Sequence, residues 1–130
     1  MVADHEGGCL CGAIRYRISG TPKGVGLCHC KSCRRATGGP VAGFVDLHPG
    51  GFAWTAGEPS FYASSPGVRR GFCSRCGTAL TYEADDFPGE VHLLSATLDD
   101  PAPWVPDNAT YNEDRIAWLK IDLPAPGEQT

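Results

Sequence analysis

Seven cysteines in 130 residues fall into three tight groups, and that grouping limits what the chain can become more than any other feature. Cys9 and Cys11 form C-x-C, Cys28, Cys30 and Cys33 form C-x-C-x-x-C, and Cys73 and Cys76 form C-x-x-C. Such spacings suit metal ligation. Cys11 and Cys76 are each followed by a glycine, Gly12 and Gly77, whereas Cys33 is followed by Arg34 and Arg35. A turn that aims backbone N–H groups at thiolate sulfur often needs positive φ just past its last cysteine, which glycine supplies. The two Cys-Gly clusters therefore pair into one closed four-thiolate site, Cys9, Cys11, Cys73 and Cys76, of the kind that holds structural zinc. A metal joining clusters so far apart is a cross-link, and its binding free energy becomes folding free energy.

Cys28, Cys30 and Cys33 are left over. Three protein ligands and one open position is the arrangement of catalytic zinc, and thiolates are soft donors that favour Zn²⁺, so two zinc sites are expected. Three thiolates load the metal with negative charge, which suits binding and releasing a thiolate better than acidifying water. Two other readings stay open. His29 lies between Cys28 and Cys30 and is a possible fourth ligand, although in an extended turn its side chain points away from its neighbours'. Cys30 and Cys33 have redox C-x-x-C spacing, but no βαβ pattern surrounds them. His5, His48 and His92 are isolated and read as surface or packing residues. Arginine forks suit carboxylates, so Arg34 and Arg35 are candidate anchors for a small anionic thiol, while Arg69 and Arg70, ahead of Cys73, read as solvated surface.

Seventeen glycines and eleven prolines punctuate the chain into short elements. "GAIRYRIS" from Gly12 alternates as a half-buried strand does, with Ile14, Tyr16 and Ile18 on one face. Further strands are expected in "VAGFVDL", "FAWT", "SFYAS", "RRGFC", "TALTYEA" and "EVHLLSATL". Helix is expected only after Cys33, in "RRATGG", and near "EDRIAWLK". "DDPAPWVPDNA" is too proline-rich for either regular element, and its Trp104 reads as a packing anchor. The fold class is all-β, built of several small antiparallel sheets around the structural zinc with little helix. The length fits one domain over residues 1–130, with a fraying tail at 124–130. A formal net charge of −4 argues against nucleic acid as a partner. No apolar run approaches the roughly 18 residues of a membrane span, and no leader pattern opens the chain. A cytoplasmic protein with no membrane partner is expected, where thiols stay reduced.

The motifs "GGCLCGAIRYRISG", "CHCKSCRRATGG", "WTAGEP", "SSPGVRRGFCSRCGTALTY" and "LDDP" resemble, in order and spacing, the glutathione-dependent formaldehyde-activating enzyme family, which includes centromere protein V. The resemblance runs from Gly7 to about Leu119. It implies a compact β fold of the Mss4-like type, with Cys9, Cys11, Cys73 and Cys76 matching the structural zinc ligands and Cys28, Cys30 and Cys33 the catalytic ones. It also implies a carbon–sulfur lyase activity, formation of S-(hydroxymethyl)glutathione from glutathione and formaldehyde. Many members carry a histidine where this chain has Ala109, before Tyr111. The other function weighed is a non-catalytic zinc module that binds a protein partner or small ligand, its three-cysteine site closed by a fourth donor.

Overall fold

A computed structural model describes residues 5–123; the expected tail at 124–130 lies outside them. The described chain is mostly β. Its strands are β1 (His5–Gly8), β2 (Arg15–Ile18), β3 (Gly24–Cys28), β4 (Ala42–Leu47), β5 (Phe52–Ala56), β6 (Ser60–Ser65), β7 (Val68–Phe72), β8 (Ala79–Ala84), β9 (Val91–Leu94) and β10 (Asn108–Thr110), with one α-helix, α1 (Lys31–Thr37), among the described residues. They gather into a three-stranded sheet, ordered β1-β2-β5, and a seven-stranded sheet, ordered β10-β3-β4-β9-β8-β7-β6. The larger sheet carries one parallel pairing, β10 with β3, where wholly antiparallel sheets were expected. The proline-rich stretch brings the chain back alongside β3 instead of turning it in a hairpin. Among the described residues no helix is long and apolar enough to cross a membrane.

The alternation in "GAIRYRIS" is realised in β2, where Tyr16 and Ile18 are wholly buried and Arg17 faces out. Ile14, Tyr16 and Ile18 join Val45, Leu47, Leu80 and Leu93 in the main core. The Tyr16 hydroxyl meets Thr97 Oγ1 at 2.7 Å, and Phe52 and Trp54 pack on its ring with centroids 5.3 and 6.3 Å away. This contact explains a glycine in β1: a Cβ on Gly7 would collide with the Tyr16 hydroxyl and the Thr97 carbonyl. Trp104 is buried and packs edge-on against His5, with ring centroids 4.8 Å apart, so it has the packing role expected of it.

The helix after the triad begins two residues before Cys33. Cys30 is its N-cap, its sulfur accepting from the Cys33 N–H at 3.2 Å, and Gly38 ends it in the left-handed conformation at φ 73°. "EDRIAWLK" is not helical. A single 3₁₀ turn, Asn112–Asp114, follows a left-handed Tyr111, and Arg115 then turns extended. Isolated two-turn helices are marginal without a packed face, and Trp118 stays 70% exposed. The Arg115 guanidinium instead binds the carbonyls of Ile116 and Leu119.

Candidate metal centres and the cleft between them

The turn from β1 to β2 carries Cys9 and Cys11, and the turn from β7 to β8 carries Cys73 and Cys76. The structure brings the four sulfurs within 4.8 Å of one another. Cys9 and Cys11 sulfurs are 3.6 Å apart, and those of Cys11 and Cys73 3.8 Å. Zinc–sulfur bonds of about 2.3 Å in a tetrahedron place sulfurs roughly 3.8 Å apart, so the cage fits that ion in size as well as in donor chemistry. Both turns are built alike. The Gly12 N–H donates to the Cys9 carbonyl and the Gly77 N–H to the Cys73 carbonyl, with φ of 82° and 80° at the two glycines. The Ile14 N–H donates to Cys9 Sγ at 3.2 Å. Thr78 locks the two turns together, accepting from the Leu10 N–H at 3.0 Å while its hydroxyl lies 3.1 Å from Cys76 Sγ. That hydroxyl, followed by backbone N–H groups, holds the Cys76 thiol down to about 5.

The second group is Cys28 at the end of β3, Cys30 at the cap of α1 and Cys33 in its first turn, again with sulfurs within 4.8 Å. Cys33 sits in a smaller core cluster with Ala42, Phe44 and Leu94, against which Cys28, Cys30 and Tyr82 pack. A hydrogen bond from the Cys33 thiol is the main influence holding the Cys28 thiol down, to about 5, while the same interaction pushes Cys33 up. Three thiols confined so closely cannot all ionise without a cation, so the donor set fits Zn²⁺. His29 is not in this group. Its backbone N–H donates to the Thr110 carbonyl at 3.0 Å, while its ring is buried and faces a separate hollow lined by Leu27, Ala109 and Arg115.

The cysteine triad opens into a cleft of about 640 Å³. Neither Arg34 nor Arg35 lines it; Arg34 is half-buried on α1 with no partner for its Nε, and Arg35 is exposed. Arg70 does line it. Both its terminal nitrogens lie 3.8 Å from Cys33 Sγ, its Nε donates to Ser64 Oγ at 3.2 Å, and its guanidinium stands 5.1 Å over the Tyr82 ring. Arg69, on the opposite face of β7, pairs with Asp85 at 3.1 Å. Strand alternation requires two adjacent arginines to part in this way, but only the register of β7 with β8 decides which one enters the cleft.

Arg70 belongs to a row of side chains that runs across the strands. Gly24, Asp46, His92, Tyr82 and Arg70 are successive partners across β3, β4, β9, β8 and β7, and the last four line the cleft. His92 stacks on Tyr82, with centroids 5.7 Å apart at 23°. Its Nδ1 is 3.4 Å from Asp46 and its Nε2 3.1 Å from Glu90, and Lys23 holds Glu90 at 3.0 Å. Burial pushes the Asp46 carboxyl up, opposed by the nearby His92. Hydrogen bonds from His92 and then Lys23 hold Glu90 down. His92 is therefore a cleft residue, not the isolated packing histidine suggested by its place in a strand.

A sequence profile of the glutathione-dependent formaldehyde-activating enzymes matches residues 4–114. The chain belongs to that family. Among its curated relatives, a Halomonas elongata protein whose name assigns it to the same family is 33% identical over 130 residues, covering 90% of this chain and 80% of that one. A Schizosaccharomyces pombe protein named as a lyase is 35% identical over 80 residues, covering 61% of this chain and 57% of its own. The fold is shared with a Rhodobacter sphaeroides protein of known crystal structure, at a TM-score of 0.65 and 20% identity, over 81% of this chain and 99% of that one. The family match takes in all seven cysteines and the whole row from Asp46 to Arg70. The names of the relatives point to an enzyme.

Proposed function

We propose that the protein is a zinc-dependent enzyme of the carbon–sulfur lyase type that makes or cleaves a thiol–aldehyde adduct, with glutathione and formaldehyde as the substrate pair. The observation that carries this reading is a three-sulfur donor set facing a cleft, with an arginine fork at its edge. Cys9, Cys11, Cys73 and Cys76 would hold the structural ion, and Cys28, Cys30 and Cys33 the catalytic one. Bound there, Zn²⁺ would supply Lewis acidity and an exchangeable coordination position. In the forward direction a carbon–sulfur bond forms, the carbonyl π bond breaks, and the thiol proton ends on the new hydroxyl oxygen. The residues of the chain contribute placement. Arg70 is fixed by Ser64 and Tyr82 and presents its fork beside the triad, where a carboxylate of the thiol can be held. That role, assigned from sequence to Arg34 and Arg35, falls to Arg70, because neither of the others lines the cleft.

The test is exchange spectroscopy by NMR on glutathione and formaldehyde, with wild type set against Cys30→Ser. Serine is itself a good helix N-cap, so the variant should keep α1 and lose the ion at the triad. Wild type is expected to accelerate adduct exchange over background and Cys30→Ser is not. No acceleration by wild type defeats the reading. Two ions equally resistant to mild chelation would favour a non-catalytic zinc module instead.

A further inference from the structure

Where it lines the cleft, the cross-strand row carries opposite charges at its two ends. At one end Arg70 stands beside the triad. At the other, Asp46 and Glu90 flank the His92 ring, and these two carboxylates share one lysine, Lys23, which is engaged with Glu90. Glu90 is nearly covered and already held by Lys23 and His92, whereas the Asp46 side chain keeps 36% exposure. Asp46 is thus the acid of that end most available to a ligand, and its carboxylate already leans on a ring that stacks on Tyr82.

We propose that this row is a specificity ruler for a zwitterionic thiol peptide, with Asp46 taking the ligand's ammonium while Arg70 takes a carboxylate and the sulfur lies at the triad. The inference rests on the reading of the cleft as a thiol site. Length decides which thiols qualify. Adjacent strands are about 4.8 Å apart, so the three strand spacings from β4 to β7 put Asp46 and Arg70 on the order of 14 Å apart at the backbone. An extended chain advances about 3.4 Å per residue. A tripeptide, with side chains reaching inward from both ends, spans the gap; a single amino acid does not. Glutathione has that length and carries its ammonium and its glycine carboxylate at opposite ends. The order of the row then fixes its direction, the amino end over His92 and the glycine end toward Arg70.

Calorimetric titration of the purified protein tests this without any turnover. The ligands are glutathione, glutaryl-cysteinylglycine (glutathione without its amino group), glutathione esterified at glycine, and free cysteine. Wild type is expected to bind the deaminated ligand, the ester and cysteine each on the order of tenfold or more weakly than glutathione, as suits loss of a charge-assisted hydrogen bond. In Asp46→Asn the penalty for deamination should vanish while that for esterification remains; in Arg70→Met the reverse should hold. Equal binding of glutathione and its deaminated form by wild type, survival of that preference in Asp46→Asn, or no binding of glutathione overturns the proposal. The wild-type ligand series decides the matter even if a variant does not fold. Selective binding without accelerated exchange would defeat the proposed reaction and leave the ruler standing.

Discussion

Arg70 shows how one side chain can be built into a site by contacts that are individually weak. A single hydrogen bond to Ser64, a ring contact with Tyr82 and two long approaches to Cys33 sulfur each contribute little, but together they fix the plane of the guanidinium, and a planar fork is what distinguishes arginine from lysine. Arg70→Lys keeps the charge and loses the plane. It should therefore retain two metal ions per chain by elemental analysis while KM for glutathione rises about tenfold with a smaller change in kcat. Arg35→Ala, at an exposed position outside the cleft, should change neither. An equal loss in both variants would place the carboxylate contact on α1. In the sequence Arg69 and Arg70 are adjacent and alike, and the feature that separates them is a strand register, not a residue type.

Among the elements, those marked by alternation or by β-branched and aromatic residues were legible, and those built of glycine and small polar residues were missed. β2, β4 and β8 announce themselves by alternation or by β-branched and aromatic content, and they supply Tyr16, Val45 and Leu80 to the core. β1, β3 and β10 are His-Glu-Gly-Gly, Gly-Val-Gly-Leu-Cys and Asn-Ala-Thr, composed of residues that form strands only because a partner is already in place. The missed strands matter to the candidate site, since β3 delivers Cys28 and β10 lays Thr110 against it. Tyr16 in β2 also gives the sheet a measurable signature. Burial pushes its hydroxyl up to about 12, against the opposing hydrogen bond with Thr97. A folded value raised above the unfolded one of about 10 contributes stability that is fully present below pH 10 and lost as pH rises toward 12. Denaturant unfolding at pH 9 and pH 11.5 should show wild type losing up to about 2 kcal/mol more than Tyr16→Phe does. Equal losses would mean that Tyr16 ionises in the folded sheet as easily as in water. Gly7 makes a companion case: Gly7→Ala drives a methyl into the Tyr16 hydroxyl and should lower Tm far more than Gly12→Ala. At Gly12 the added Cβ meets nothing within 4 Å, and only the positive φ is strained, by about 1–2 kcal/mol.

At the scale of the whole molecule the two cysteine groups sit differently in the fold, and on the proposed reading metal removal should separate them. The four-sulfur cage joins the turn after β1, in the small sheet, to the turn after β7, in the large one, across 62 positions of sequence. Closing a loop of that length with a covalent bridge is worth roughly 4 kcal/mol of chain entropy, and a metal that binds all four thiolates acts in the same sense. That is a large part of the 5–15 kcal/mol by which domains are stable. Cys9 and Cys73 are buried there and Cys11 is exposed, so resistance to a chelator would come from four thiolate ligands tied to the fold rather than from burial. The triad instead lies within a single stretch from β3 into α1, closes only a short loop and opens to the cleft. An ion held there would contribute little to holding the sheets together. Stepwise chelation followed by elemental analysis and circular dichroism should therefore show two events. The first ion leaves under mild chelator with the β spectrum and most of the thermal stability retained, and adduct exchange stops at that point. The second leaves only under harsher conditions, and the sheets unfold with it. Cys30→Ser should match the first state and Cys73→Ser the second. Simultaneous loss of both ions with unfolding would show instead that the triad also holds the sheets together.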